Sequence, residues 1–386
     1  MLDNFIGAPP ELRATYPVRV ATRVVFFIAG FAMSAWAPLV PFAKARLAIN
    51  DASLGLLLLC LGIGSLLAMP LAAPWAHRLG CKRPIVAAVC VLGVTLPLLA
   101  WLESAPLLAM ALLLFGAGLG TLDITMNIQA VAVEKASGRA MMSGFHGFFS
   151  IGGIAGAGLV SALLACGLTP LASVLVVVAA LVILLTMAAG HLVTVAGDNP
   201  SAPLFVRPHG RVLAIGLLCF ILFLTEGAML DWSALFLTHE RGMDSASGGL
   251  GYALFCISMT VGRLCGDRLI NRIGRFRMLM GGSLCAAMGL LLAIAIDVPA
   301  VTLLSFLLLG FGAANLVPLL FSAASDQRAM PPHLALAAVS GVGYAGLLTG
   351  PALIGFIAQL TSLYVAFGCV AVLLLLVSAS ARRVTH

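Results

Sequence analysis

The stretch APWAHRLGCKR, residues 73–83, returns 194 residues later as DRLINRIGRFR, residues 267–277. Each copy ends an apolar run, turns at a glycine (Gly80, Gly274) and starts the next apolar run behind a basic cluster. The clusters are Arg78, Lys82 and Arg83 in the first copy, and Arg268, Arg272, Arg275 and Arg277, following Asp267, in the second. A short basic loop between two apolar runs, occurring twice, marks a chain that crosses a membrane many times and was built from two similar halves.

Composition supports this outward from the two loops. Of 386 residues, 62% are hydrophobic and 9% charged, whereas a soluble domain carries roughly 25% charged residues. Such a chain cannot hide its apolar surface in its own core, so lipid must cover it. Twelve apolar segments are read at 19–43, 53–76, 84–103, 106–132, 142–166, 168–192, 212–238, 246–267, 277–297, 299–323, 335–360 and 362–381. A span needs about 20 apolar residues. Only a helix satisfies its own backbone within one crossing, and the runs lack the alternation of a membrane barrel strand. The expected fold is therefore an all-α membrane protein with twelve transmembrane helices in two pseudo-symmetric six-helix bundles. Residues 1–192 and 211–386 form the bundles, and a cytoplasmic linker over 193–210 carries Asp198, Asn199, Pro200 and Pro203.

The net charge of +7 lies in short loops, which argues for membrane topology and against a nucleic-acid partner. Of the 21 Lys and Arg residues, eighteen fall on one side of this span order; only Lys44, Arg46 and Arg241 fall on the other. The rich side is expected to be the cytoplasm, with both termini inside, in a bacterial inner membrane. Residues 1–17, with Pro9, Pro10 and Glu11, do not read as a cleavable signal peptide. The nine cysteines are scattered without a CxxC or a Cys/His cluster, so neither a metal site nor a disulfide framework is expected. No GxxxxGK[ST] occurs, which argues against ATP as the energy source; no cofactor is expected.

The repeated loop resembles the signature G-x-x-x-D-R-x-G-R-R of the major facilitator superfamily. Its acidic position holds His77 in the first copy and Asn271 in the second. In that family the acid latches alternate conformations, so the resemblance leaves such a latch in question here. Two further stretches, GTLDITMNIQAVAVEKASGRAMMSGFHGFFSIGG (120–153) and EGAMLDWSALFL (226–237), resemble the bacterial MosC and YbjJ type, distantly similar to sugar–proton symporters of the fucose permease kind. The resemblance implies a secondary transporter with sugars or polyols as the substrate class.

Polar residues inside apolar runs are costly and usually face a bundle interior or water. Asp123 lies 11 residues before Glu134, hence ~16 Å along its helix, and Asn127 shares its face. His146 lies seven residues after Arg139, or ~10 Å into its span. Asp123, Asn127 and His146 are read as a polar cluster of the N-terminal half: a proton-exchanging site, or a static hydrogen-bonded knot. Glu226, 15 residues from both Arg211 and Arg241, is placed near the midplane as a proton carrier or a ligand for a hydroxylated or cationic solute, with a buried structural carboxyl as the alternative. Asp231 follows on another face beside Trp232, and the two are read as part of the substrate site or as a gate or helix contact. Arg263 is read as a local partner of Asp267 at i+4. Trp36, with Pro38 and Pro41, supplies an aromatic wall and a bend, or plain packing. Asn315 and Pro318, near Gly310 and Gly312, suggest a broken helix with a free carbonyl. At the offset of 194, Asp123 meets Val317, His146 meets Ser340 and Glu226 meets Ala32. The scaffold repeats and the polar chemistry does not, which marks the unrepeated residues as the functional candidates.

The leading expectation is proton-coupled secondary transport of a small polar organic solute by a monomer in the lipid bilayer. Proton-antiport efflux of amphipathic compounds is the alternative, and a non-transporting sensor or scaffold comes next. A membrane enzyme has least support, because no nucleophile–base pair stands out.

Overall fold

The computed structural model describes residues 15–49, 51–194, 207–243 and 250–385. Pro9, Pro10, Glu11, Asp198, Asn199, Pro200 and Pro203 lie outside them. The described residues fold into helices: α1 (Tyr16–Ala35), α2 (Val40–Leu47), α3 (Asp51–Leu79), α4 (Lys82–Trp101), α5 (Ala105–Ser137), α6 (Met142–Ala165), α7 (Pro170–Ala189), α8 (Gly210–Leu235), α9 (Leu250–Ile273), α10 (Arg275–Ala295), α11 (Pro299–Ala313), α12 (Leu316–Asp326), α13 (Pro332–Leu360) and α14 (Leu363–Thr385). Counting α11 with α12 as one crossing, 11 of the described helices are long and apolar enough to span a membrane. The expected twelfth, α9, has the length at 24 residues but interrupts its apolar run with Arg263 and Asp267.

Proline sets the breaks. α1 stops at Ala35, and Pro38 sits in the 3-10 turn Ala37–Leu39 before α2, the bend expected beside Trp36. α11 stops at Ala313, and Asn315 occupies the N-cap position of α12.

By contacts the chain divides into two units. The first contains Met1–Arg139, Phe148–Val206 and Pro331–Ala337; the second contains Ala140–Gly147, Arg207–Met330 and Ala338–His386. Two short segments, at the starts of α6 and α13, are grouped apart from the sequence on either side of them.

Within each unit the same packing recurs. α3 packs on α5, α4 on α5 and α7, and α1 on α7; in the second unit α9 packs on α11, α10 on α11 and α14, and α8 on α14. Glycines make these approaches possible. A Cβ on Gly116 would lie 1.9 Å from the Leu61 carbonyl oxygen, and one on Gly310, its repeat, 2.4 Å from that of Phe255. Gly152 and Gly346 repeat the device against Phe27 and Phe220, each at 2.2 Å. Such backbone-to-backbone contact is how helices associate in lipid, where hydrophobicity gives no drive between them. The signature-loop glycines act differently: Gly80 has φ +74° and Gly274 φ +84°, the left-handed region that side-chain-bearing residues avoid.

A second repeated device involves two of the three basic residues on the sparse side. Arg46 donates to the carbonyls of Leu99, Ala100 and Leu102 at 2.8, 2.6 and 2.9 Å, beside Glu103. Arg241 donates to the carbonyls of Ala293 and Ile294, to Thr302 Oγ1 at 3.0 Å and to the Tyr364 hydroxyl at 2.7 Å, and pairs with Asp297 at 3.2 Å. Leu99, Ala100 and Glu103 repeat as Ala293, Ile294 and Asp297 at the offset of 194. Each arginine thus closes the carboxyl end of one helix, α4 or α10, whose last carbonyls lack helical donors.

Candidate functional site

The second unit holds the densest polar arrangement, and it starts from the break between α11 and α12. In a continuous helix the Ala314 carbonyl would accept the N–H of residue 318. That residue is Pro318, which has none. Arg263 of α9 takes the place, its Nε donating to the Ala314 carbonyl at 3.2 Å. Its Nη2 meets Glu226 Oε1 of α8 at 3.3 Å, with side-chain exposures of 9% for the arginine and 24% for the carboxylate. Asn315 is buried, donates from Nδ2 to the Gly262 carbonyl at 3.0 Å and leaves Oδ1 without a hydrogen bond among the described residues. Gly266 makes room for it: a Cβ there would fall 1.8 Å from Asn315 Oδ1. One guanidinium therefore joins three helices, with its position fixed by backbone and its charge met by a carboxylate that remains partly accessible.

Around this pair, Tyr252 and Cys256 share a side-chain hydrogen bond one turn apart on α9, and both feel the Glu226 and Arg263 charges. His146 also lies within reach of the Arg263 charge, and its ring meets Phe321 edge-on at 5.9 Å. His146 is thus grouped with the second unit, while Asp123 and Asn127 belong to the first. The other two do pair: Asn127 Nδ2 donates to the Asp123 carbonyl at 2.8 Å and to its Oδ1 at 3.3 Å. Asp123 Oδ2 is buried with no hydrogen bond among the described residues.

Asp231 is exposed, and Trp232 packs its ring against Gly355. Trp36 is 5% exposed with no hydrogen bond to its indole N–H among the described residues. Arg263 is legible in the sequence as a charge in an apolar run, and i+4 spacing points only to Asp267. Its contact with Glu226 spans 37 residues, a distance that i+4 reasoning does not reach.

The signature loops differ between copies. His77 stacks on His333 with ring centroids 4.2 Å apart and planes 11° from parallel. In the second copy Asp267 Oδ2 accepts the Gly144 N–H at 2.9 Å, Asn271 Oδ1 accepts the Ala140 N–H at 3.1 Å, and Asn271 Nδ2 donates to the Asp267 carbonyl at 2.7 Å. Arg275 pairs with Asp326. The loop residues therefore bind backbone at the start of α6 even though the signature acid is replaced.

With this arrangement in view, comparison with known proteins is decisive. The sequence matches the Major Facilitator Superfamily over residues 24–335. The chain belongs to that superfamily. This superfamily member is 59% identical over 368 residues to an uncharacterized MFS-type transporter of Yersinia pestis, covering 95% of this chain and 96% of that one. It is 33% identical over 344 residues to membrane protein MosC of Rhizobium meliloti, covering 89% and 84%. Among solved structures, the E. coli fucose:proton symporter superposes with a TM-score of 0.76 at 16% identity, over 95% of this chain and 98% of that one, which shows the shared fold. The chain is a multi-pass membrane transporter of the superfamily, as its repeated loops and glycines had suggested.

Proposed function

We propose that this transporter moves a small polar organic solute, a sugar, polyol or derivative, by proton-coupled alternating access, as a monomer in a bacterial inner membrane with both termini cytoplasmic. The Glu226–Arg263 pair supports this most directly. A fixed guanidinium and a partly accessible carboxylate 3.3 Å away make a two-state element. With Glu226 ionised, the pair is closed and neutral. When Glu226 takes a proton, the ion pair is lost, and Arg263 and the new carboxylic acid can both bind solute hydroxyls. Protonation of Glu226 then favours solute binding and solute binding favours protonation, a reciprocal coupling that symport can use. Within the first unit, the Asp123–Asn127 pair is a second candidate for solute or proton binding, with Trp36 as an apolar wall; Trp232 is a candidate wall in the second unit.

The test uses purified protein in liposomes and a panel of labelled hexoses, pentoses and inositols. An inward proton gradient is expected to drive accumulation of at least one of them. Glu226→Gln should then retain gradient-independent exchange and lose accumulation. If Glu226→Gln accumulates solute as well as the natural protein does, the carboxylate is not the proton carrier. A panel without any gradient-driven solute, alongside extrusion of amphipathic dyes, would favour the antiport alternative.

A further inference from the structure

The first unit contains a cavity whose lining holds none of the residues assigned to the solute site. It has a volume of about 700 Å³ and is lined by Arg78, Leu79, Lys82, Arg83, Val86, Ala87 and Thr194. The first signature loop makes its floor. The Lys82 N–H donates to the Val193 carbonyl at 3.0 Å, and Gly80 lies so close to Thr194 that a Cβ would come within 2.6 Å of its backbone. The segment ending at Thr194 is thereby pinned over the α3–α4 turn, and the cavity is a built recess. Three cations line it, and no acidic residue does so among the described residues.

The opposite wall is apolar and continues along both helices. On α3, Leu67, Leu71, Trp75 and Leu79 repeat every fourth residue and are 63, 72, 38 and 37% exposed. On α4, beyond Val86 and Ala87, Val91 and Val94 are 37 and 66% exposed. In a spanning protein these edges face hydrocarbon. A recess that is cationic at its mouth and opens onto two lipid-facing edges matches an anionic amphiphile. A small soluble anion would satisfy the cations and leave the apolar edges unused.

We propose that this recess binds a membrane phospholipid with a net anionic headgroup, the phosphate held among Arg78, Lys82 and Arg83 and the acyl chains lying along the exposed edges of α3 and α4. Basic clusters at a membrane surface favour anionic lipids by an amount equal to about fivefold in binding for each cation.

The test titrates delipidated full-length protein with dioleoyl-phosphatidylglycerol and with dioleoyl-phosphatidylcholine, reading bound lipid by native mass spectrometry. The natural protein should prefer the anionic lipid, and Lys82→Gln/Arg83→Gln should weaken it about 25-fold. Arg382→Gln/Arg383→Gln removes the same charge at the end of α14 and should leave the preference intact. Should the loop variant fail to fold, Lys82→Gln alone is expected to show a fivefold loss. Equal losses in both double variants would mean general surface charge and overturn the proposal, as would an unchanged preference in the loop variant. Millimolar inorganic phosphate should not displace the lipid; full displacement would assign the recess to a free anion instead.

Discussion

Arg241→Met and Arg46→Met are the same chemical change at two repeated positions, and they should differ in cost. At Arg241 the side chain is fully buried, and its replacement strands the Ala293 and Ile294 carbonyls and Thr302 Oγ1. A buried acceptor left without its donor costs about 1–3 kcal/mol. Three of them give about 3–9 kcal/mol, since methionine supplies no donor. The pair with Asp297 adds little, because that carboxylate is 82% exposed. At Arg46 the three acceptors are the carbonyls of Leu99, Ala100 and Leu102, but the arginine is half-exposed and water can replace it. The expected loss there is about 1–2 kcal/mol in all. Thermal unfolding in detergent, followed by loss of the monodisperse peak on size exclusion, reads the contrast as a clearly larger drop for Arg241→Met. Equal drops for both variants would refute the reasoning that burial of the helix end, rather than the arginine's charge, sets the cost.

Three more expectations follow from the described geometry. Gly346→Ala should destabilise by about 1–3 kcal/mol because its Cβ meets the Phe220 carbonyl at 2.2 Å, whereas Gly158→Ala, with nothing within 4 Å, should stay within about 0.5 kcal/mol by the same unfolding assay. Pro318→Ala returns an N–H that competes with Arg263 for the Ala314 carbonyl; because Pro318 sits in the first turn of α12, where proline costs little, the melting temperature should hold while transport falls. Cys81 is buried and its thiol is pushed up to about 12 by desolvation, so a water-soluble maleimide at neutral pH should spare it and label the exposed Cys166; added from one side of sealed vesicles, the reagent also reports which face carries the α6–α7 turn.

What could be read from sequence divides along a physical line. Span positions follow from local composition, and the structure's helices lie within a few residues of them. Glycines that match at the offset of 194, such as Gly116 and Gly310, are weak evidence as letters in a chain with 41 glycines. They became informative once Gly116 and Gly310 were seen against the repeated backbones of Leu61 and Phe255. The broken span 10 was legible because proline and asparagine act on their own helix. The partner of the freed carbonyl was not, because Arg263 lies 51 residues from Ala314 and depends on which face of α9 meets the break. His146 shows the same limit: its depth in the span was computable, but its grouping with Arg263 and Phe321 depends on how the start of α6 packs. Arg46 and Arg241 looked like exceptions to the charge asymmetry, and the structure gives their reason, since each is spent on helix-end carbonyls.

The hold of Arg263 on the α11–α12 break has an unusual inheritance. Its acceptor is a backbone carbonyl, which every amino acid supplies, so substitution at Ala314 can change the shape of the site and still leave the acceptor in place. Its vacancy comes from a hydrogen that Pro318 lacks, and every other residue encoded at that codon would restore it. The information for the contact is therefore concentrated in one proline and one arginine, while the residue that accepts the bond is nearly silent. Across related chains the loss of the contact should track changes at 318 and 263, and variation at 314 should leave little trace.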